Sequence, residues 1–259
     1  MAEIDHEQAR SFDRVAETYA RARPGYPAAA VEWLLTPAPG RRVVDLAAGT
    51  GKLTQALVAA GADVVAVEPL RNMRAELERS LPTVRVLDGS AEALPLADGS
   101  ADAVCVAQAF HWFDPEPALA EIARVLVPGG VLGLLWNLRD DGVEWVRELS
   151  VAMRGAGDVL TESRSIAERP LDHSAFGAVQ RREFPNPVTF DRERLRAWAS
   201  STSRIAILDP DDRGRALADV VRVADEHPDL RGLAEFPIPF VTVCVRAVRG
   251  ARDYADADG

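Results

Sequence analysis

Apolar segments alternate with segments of helical spacing through the first half of the chain. The segment "RRVVDLA" is typical of a buried strand, and Leu53, Ala56 and Leu57 follow it on one helical face, with Gly61 placed to end that helix. Similar strand segments are "ADVVAVEP", "TVRVLDG", "ADAVCVAQA" and "VLGLLWN". Strands that alternate with helices through short connections form a parallel sheet with helices on both faces. The first half therefore predicts an α/β fold of this kind.

The second half of the chain has a different pattern. Residues 140–178 are polar and irregular apart from a short helix predicted around Val143–Met153, and we expect them to form a cap or substrate segment inserted before the last strands. The segment "DRERLRAWAS" predicts a helix with Asp191 as its N-cap. Alternating apolar residues from Phe240 to Val248 predict a long final strand.

Charge and composition limit the classes of partner. The formal net charge of −10 argues against broad attraction to nucleic acid, which requires a basic surface. No apolar run approaches the roughly 20 residues of a membrane span, and the start of the sequence lacks a secretory signal, so we expect a cytoplasmic protein without a membrane partner. Cys105 and Cys244 lie in apolar strand segments without a His/Cys cluster, which predicts buried core residues and no metal site.

The loop Ala47–Gly51 after the first strand lies where parallel sheets bind ligands. A phosphate loop requires Ser or Thr after Gly-Lys, and this chain has Leu53. A dinucleotide loop requires a third glycine, where this chain has Thr54 or Lys52, depending on the register. Asp45, directly before the loop, would also face a pyrophosphate unfavourably. Both of these ligand classes are therefore disfavoured.

S-adenosylmethionine suits the loop better, because it carries an ammonium and a sulfonium group and no phosphate. The carboxylate of Asp45 attracts such a ligand. Glu68 ends the second strand 17 residues after Gly51, where a carboxylate can accept hydrogen bonds from two ribose hydroxyls. Small loop residues leave room for the methionine part and the ribose; they are Ala47, Ala48, Gly49 and Gly51.

These motifs resemble those of the class I S-adenosylmethionine-dependent methyltransferases over nearly the whole chain. "VVDLAAGTG" is similar to their first motif, with Ala47 where many members have glycine, and "VVAVEP" to their second. "DGSAEALPLADGSADAV" resembles their third, which implies that Ser90 and Ala91 border the adenine. The resemblance implies a Rossmann-like sheet of seven strands, mostly parallel with an antiparallel last strand and helices on both faces, in one domain spanning residues 1–259.

Two further segments resemble one branch of this family. "FDRVAETYARARPGYP" at residues 12–27, with "AFHWFD", is similar to the small-molecule branch around trans-aconitate methyltransferase. The resemblance implies that residues 1–40 form a helical lid over the cofactor. It also implies that Tyr19 and Arg23 contact the methionine carboxylate.

Two residues after the fourth strand are the candidates for the reaction centre. His111 could serve as a general base for a hydroxyl acceptor, or only brace its loop. Gln108 is expected to face the methionine end or the acceptor. The arginines of the irregular segment could recruit an anionic acceptor or simply be solvated; they are Arg154, Arg164 and Arg169.

The function predicted from the sequence is methyl transfer from S-adenosylmethionine to a small organic acceptor, with S-adenosylhomocysteine as product. Methylation of an oxygen or a carboxyl group is favoured. The alternatives are C-methylation of a quinone or sterol-like acceptor, methylation of tRNA or protein, and a regulatory protein that binds the cofactor without catalysis. We expect a monomer or a homodimer and no nucleic-acid partner.

Overall fold

Seven strands and the helices between them make up the described part of the chain, which the computed structural model gives as residues 22–154 and 173–250. The strands are β1 Arg42–Leu46, β2 Asp63–Val67, β3 Arg85–Leu87, β4 Ala101–Ala107, β5 Leu126–Arg139, β6 Gln180–Phe190 and β7 Phe236–Val248. The helices are α1 Ala28–Leu35, α2 Lys52–Ala59, α3 Arg71–Ser80, α4 Pro115–Val125, α5 Glu144–Arg154, α6 Arg192–Ser200, α7 Ser203–Ala206 and α8 Pro210–Glu226, with a 3₁₀ turn at Phe110–Trp112.

The strands form one sheet in the order β3-β2-β1-β4-β5-β7-β6. Strand β7 runs antiparallel to β5 and to β6, while β1 pairs in parallel with β2 and β4. This confirms the predicted Rossmann-like sheet with an antiparallel last strand. Cys105 on β4 and Cys244 on β7 are separated by β5 and are free, buried thiols, as predicted.

Alternation along the central strands divides the core between the two faces of the sheet. On β4, Ala103 and Cys105 pack with helices α1 and α2, whereas Val104 and Val106 pack with α4. A strand buried on both faces shows this continuous apolar pattern because successive side chains point to opposite sides. Among the described residues, no helix is both long and apolar enough to cross a membrane.

A second apolar core lies beyond one end of the sheet. Helices α5 to α8 pack there against Phe190, Phe236 and Phe240 at the ends of β6 and β7, and we call this unit the cap. The predicted cap segment, residues 140–178, supplies α5, and its residues 155–172 lie outside the described part. The other cap helices come from residues 192–226, so the described cap extends beyond the predicted segment.

Candidate active site

The loop after β1 has an unusual backbone conformation. Ala47, Gly49 and Gly51 all have positive φ angles, of 56°, 56° and 87°. The left-handed region is sterically unfavourable for alanine, and such conformations concentrate at ligand-binding sites. A Cβ on Gly49 would meet no atom of the described residues within 4 Å beyond its two chain neighbours, so the backbone borders open space within this part of the chain. The loop therefore exposes its backbone to a ligand, as its small residues predict.

Glu68 holds this loop in place from the end of β2. Its side chain is 4% exposed, and its two oxygens accept hydrogen bonds from the backbone N–H groups of Gly49 (2.8 Å) and Leu70 (2.9 Å). These contacts fix the Glu68 carboxylate against the loop, and its role toward a ribose stays a prediction.

Asp45 is a fully buried carboxylate at the end of β1. Its Oδ2 accepts a hydrogen bond of 2.5 Å from Thr54 Oγ1, and its Oδ1 has no hydrogen-bond partner among the described residues. Burial raises the pKa of Asp45 to about 7, and the negative charge of Glu68 acts in the same direction, while the Thr54 hydrogen bond opposes it. A buried anion with an unsatisfied oxygen is favourable only when a cation or donor approaches it.

A cleft opens beside this loop and is closed on its other side by the cap. Residues of the loop region form one wall: Asp45, Ala47, Ala48, Gly49, Thr50, Lys52 and Leu53. The rest of the lining comes from residues 22–27 before α1, which we call the entry segment, from the ends of the central strands and from the cap. These residues are Arg23, Pro24, Tyr26, Ala107, Gln108, Asn137, Arg139, Trp198, Thr202 and Phe240. Sequence reasoning missed Trp198, Thr202 and Phe240, because their pattern is that of ordinary core residues and a helix end.

The structure brings together part of the predicted site. Arg23, Asp45, Ala47, Gly49 and Gln108 line the cleft. Five predicted residues belong to the surrounding elements and do not line it: Gly51, Glu68, Ser90, Ala91 and His111. Tyr19 lies outside the described residues.

Gln108 and His111 occupy different places relative to the cleft. Gln108 has a φ angle of 59°, uncommon for a residue with a side chain, and its Nε2 donates to the backbone oxygen of Asn137 at 3.3 Å. His111 lies in the 3₁₀ turn, with its ring centroid 4.6 Å from that of Trp112. The structure therefore places Gln108 at the cleft and His111 in the turn behind it, and a catalytic role for either stays a prediction.

The predicted adenine residues lie on the segment between β3 and β4. Ser90 is half-buried and bridges Ala93, while Ala91 is 3% exposed and packs into the core that includes α4. Glu121 on α4 fixes this segment by accepting a hydrogen bond from Leu94 N at 2.8 Å. Their contact with an adenine stays a prediction.

Asn137 joins the walls of the cleft. Its Nδ2 donates to Gly25 O at 3.0 Å, and its Oδ1 accepts hydrogen bonds from Thr242 Oγ1 (2.6 Å) and Asn186 Nδ2 (3.1 Å). It therefore ties the entry segment to β5, β6 and β7.

Two arginines of the cleft are anchored to the cap. Arg139 Nε donates to Ser150 Oγ on α5 at 2.8 Å, and its guanidinium lies 5.4 Å from the ring centroid of Trp198 on α6. Arg23 donates to Ser201 Oγ (3.1 Å) and Ser201 O (2.8 Å) at the end of α6. These contacts hold the cap against the cleft.

Fold and site together define an α/β protein that binds an adenosyl cofactor at the carboxyl ends of its central strands. The comparisons with known proteins make the class specific. Residues 44–134 match the family described as a methyltransferase domain. An uncharacterized methyltransferase of Mycobacterium tuberculosis is 44% identical over 237 residues, which cover 92% of this chain and 95% of the relative. The chain belongs to the class I S-adenosylmethionine-dependent methyltransferases.

Other relatives agree with this assignment. An uncharacterized methyltransferase of Schizosaccharomyces pombe is 32% identical over 239 residues, covering 90% of this chain and 95% of the relative. A solved structure from Anaeromyxobacter dehalogenans, provisionally named a type II methyltransferase, shares the fold with a TM-score of 0.65 at 23% identity, covering 88% of this chain and 97% of that one. The enzyme therefore uses S-adenosylmethionine as methyl donor.

The residues of the cleft fit this cofactor. Asp45 Oδ1 and Thr50 Oγ1 are buried and have no hydrogen-bond partner among the described residues, and both belong to the cleft wall. The open side of Gly49 admits a ligand against the backbone. A buried carboxylate suits the cationic methionine part of S-adenosylmethionine and opposes a phosphate.

Proposed function

We propose that this enzyme methylates an oxygen, preferably a carboxylate oxygen, of a small organic acceptor. The cleft supports a small acceptor because the cap closes it with Trp198, Thr202 and Phe240. An acceptor embedded in a large macromolecule would need an open face at this position. The net charge of −10 likewise disfavours a nucleic-acid acceptor.

One observation carries the preference for a carboxylate. The described lining of the cleft contains neither histidine nor glutamate, and its carboxylate, Asp45, is buried and bonded to Thr54. A hydroxyl acceptor gains from a positioned general base, whereas a carboxylate oxygen is already ionised and nucleophilic at neutral pH. A cleft of this composition suits an acceptor that loses no proton.

The residues of this chain then act mainly by orientation. When bound, S-adenosylmethionine supplies an activated methyl group, and its transfer leaves S-adenosylhomocysteine. Asp45 would hold the ammonium group of the cofactor, and Gln108 would limit the position of the acceptor near the ends of β4 and β5. Such positioning can contribute roughly 7–11 kcal/mol to lowering a displacement barrier.

C-methylation of a quinone is the second candidate. A demethylmenaquinone methyltransferase of Renibacterium salmoninarum is 43% identical over 95 residues, which cover 36% of this chain and 40% of that protein. A match of this length supports a shared cofactor-binding part and leaves most of this chain, including many possible acceptor contacts, unmatched.

The test is to incubate the purified enzyme with S-adenosylmethionine and a panel of acids, phenols and demethylmenaquinone analogues. Formation of S-adenosylhomocysteine is measured together with the mass and alkali sensitivity of the product. We expect an alkali-labile methyl ester. A ring-methylated quinone, stable to alkali, would instead establish the second candidate.

A further inference from the structure

Lys52 is the one lysine in a chain with 30 lysine and arginine residues. It begins α2 directly after the loop, and its half-buried side chain lines the cleft. In the sequence, Lys52 counted only in the comparison with phosphate loops and dinucleotide loops. Its position beside Gly49 and Thr50 places a cation at the reaction cleft.

The side chain of Lys52 makes no hydrogen bond or ion pair with any residue in ranges 22–154 and 173–250. Burial lowers the pKa of its ammonium group, and the positive charge of Arg194 on the cap lowers it further. Arg194 is held there by a 2.7 Å hydrogen bond to Thr189 O and by Phe190, whose ring centroid lies 4.6 Å from the guanidinium. Positive charge near a half-buried ammonium group is unfavourable, and an anion bound beside it would relieve this.

The described lining of the cleft has a charge of opposite sign to that of the chain. Within residues 22–154 and 173–250, Arg23, Lys52 and Arg139 line the cleft against the one carboxylate of Asp45, although the chain as a whole carries −10. Because Asp45 lies deep and is bonded to Thr54, it does not neutralise Lys52 through a direct contact. Such a cleft attracts anions and disfavours cationic acceptors.

We propose that Lys52 is a specificity-determining residue that binds a carboxylate of the methyl acceptor, with Arg139 on the opposite wall. The proposal rests on the proposed function and deepens it by assigning the acceptor an anionic anchoring group. An oxygen paired with a cation is a weaker nucleophile, so the anchoring carboxylate is a group other than the one that receives the methyl. The arginines first considered for this role do not supply the argument, since Arg164 and Arg169 lie outside the described residues.

The single lysine gives a direct measurement. Enzyme labelled with ¹³C at lysine Cε has one lysine signal, which is followed by NMR during titration with benzoate or with its neutral counterpart benzamide, each in the presence of saturating S-adenosylhomocysteine. We expect a saturable shift with benzoate and none with benzamide. No saturable response to benzoate in an enzyme that binds S-adenosylhomocysteine would overturn the proposal and leave the methyltransferase function intact.

Variants distinguish the effect of the charge at position 52 from the effect of the net charge of the protein. Lys52→Met should weaken benzoate binding, measured by thermal shift, by roughly ten-fold or more, because a charge-assisted hydrogen bond is lost. Lys52→Arg should keep it within about three-fold. Arg71→Met is the matched control, since Arg71 is an exposed first residue of α3 and does not line the cleft. If Arg71→Met weakened benzoate binding equally, the effect would come from net charge, which would contradict the proposal.

A third comparison tests whether the carboxylate that binds Lys52 belongs to the cofactor and not to the acceptor. S-adenosylhomocysteine has a carboxylate, and methylthioadenosine has none. We expect Lys52→Met to change the Kd of both by less than about three-fold in calorimetry. A weakening of S-adenosylhomocysteine alone by ten-fold or more would assign Lys52 to the cofactor and overturn its role toward the acceptor. If the wild-type enzyme bound neither compound, the proposed function itself would fail.

Discussion

Asp45 links the pH dependence of stability to that of cofactor binding. Burial raises its pKa from 3.8 to about 7. The folded protein therefore binds this proton more tightly than the unfolded chain does, and the resulting stability is full below about pH 4 and is lost as the pH rises to about 7. The carboxylate is thus retained at a cost in stability, which suits a residue that needs its negative charge for a cationic ligand.

The variant Asp45→Asn should remove the pH dependence that Asp45 gives to stability and to cofactor binding. In chemical denaturation of the ligand-free protein, its free energy of unfolding should rise relative to wild type as the pH goes from 5 to 8, because the wild type alone buries a charge. At pH 8 its affinity for S-adenosylhomocysteine should fall by about ten-fold or more. Wild-type affinity should fall below pH 7 while that of Asp45→Asn stays flat. Parallel pH profiles for the two proteins would contradict this role.

At the scale of the element, comparing Gly49 in the loop after β1 with Gly61 after α2 distinguishes the effect of ligand contact from that of backbone strain. Gly49 and Gly61 have φ angles of 56° and 78°, and a Cβ on either would meet no atom within 4 Å from the described residues other than its chain neighbours. Alanine at both positions should therefore lower stability similarly, by about 1–2 kcal/mol. Gly49→Ala should also weaken S-adenosylhomocysteine binding by about ten-fold or more, because Gly49 lines the cleft.

Gly61→Ala is the control for that measurement, since Gly61 follows α2 and does not line the cleft. Thermal melts give the stability of each variant and calorimetry gives its affinity. Equal affinity in both alanine variants would show that the open space beside Gly49 holds no ligand.

The elements differ in how far sequence predicts them. Local periodicity was sufficient to place β1, β2, β4 and β5, which are apolar runs. Strand β3 has only three residues, is not buried, and is followed by β4 without a helix between them. The final strand was predicted to begin at Phe240 and begins at Phe236, because Pro237 and Pro239 interrupt the alternation while β6 still pairs with that region. Pairing with a distant strand leaves no local signal.

The residues of the site also differ in how far the sequence predicts them. Asp45 and the loop were predictable because their chemistry depends on neighbours in sequence. The cap wall was not, because Trp198 and Phe240 reach the cleft only when α6 and β7 pack together, and in sequence each is one more apolar residue. Lys52 was visible, but its lack of an acid partner among the described residues is a property of the folded chain.

The whole molecule consists of a sheet with cores on both faces and a cap with its own core, joined by the long strands β5 to β7. One wall of the cleft comes from the loop after β1, and the far wall comes from the cap. This arrangement predicts that the sheet and the cap differ in local stability, because few elements connect the two.

Leu195→Ala and Leu57→Ala test that division, since both leucines are 0% exposed, one in the cap core and the other in the sheet core. Each should lower the free energy of unfolding by about 2–5 kcal/mol if the protein unfolds as one unit. With a separate cap, Leu195→Ala should speed hydrogen exchange in α5, α6 and α8 and leave β1 and β4 protected. S-adenosylhomocysteine binding should then persist in Leu195→Ala while benzoate binding weakens, because Arg139, the second group proposed to bind the carboxylate, is held by Ser150 and Trp198 of the cap. The same increase in exchange across β1, β4 and the cap helices in both variants would instead show a single cooperative unit.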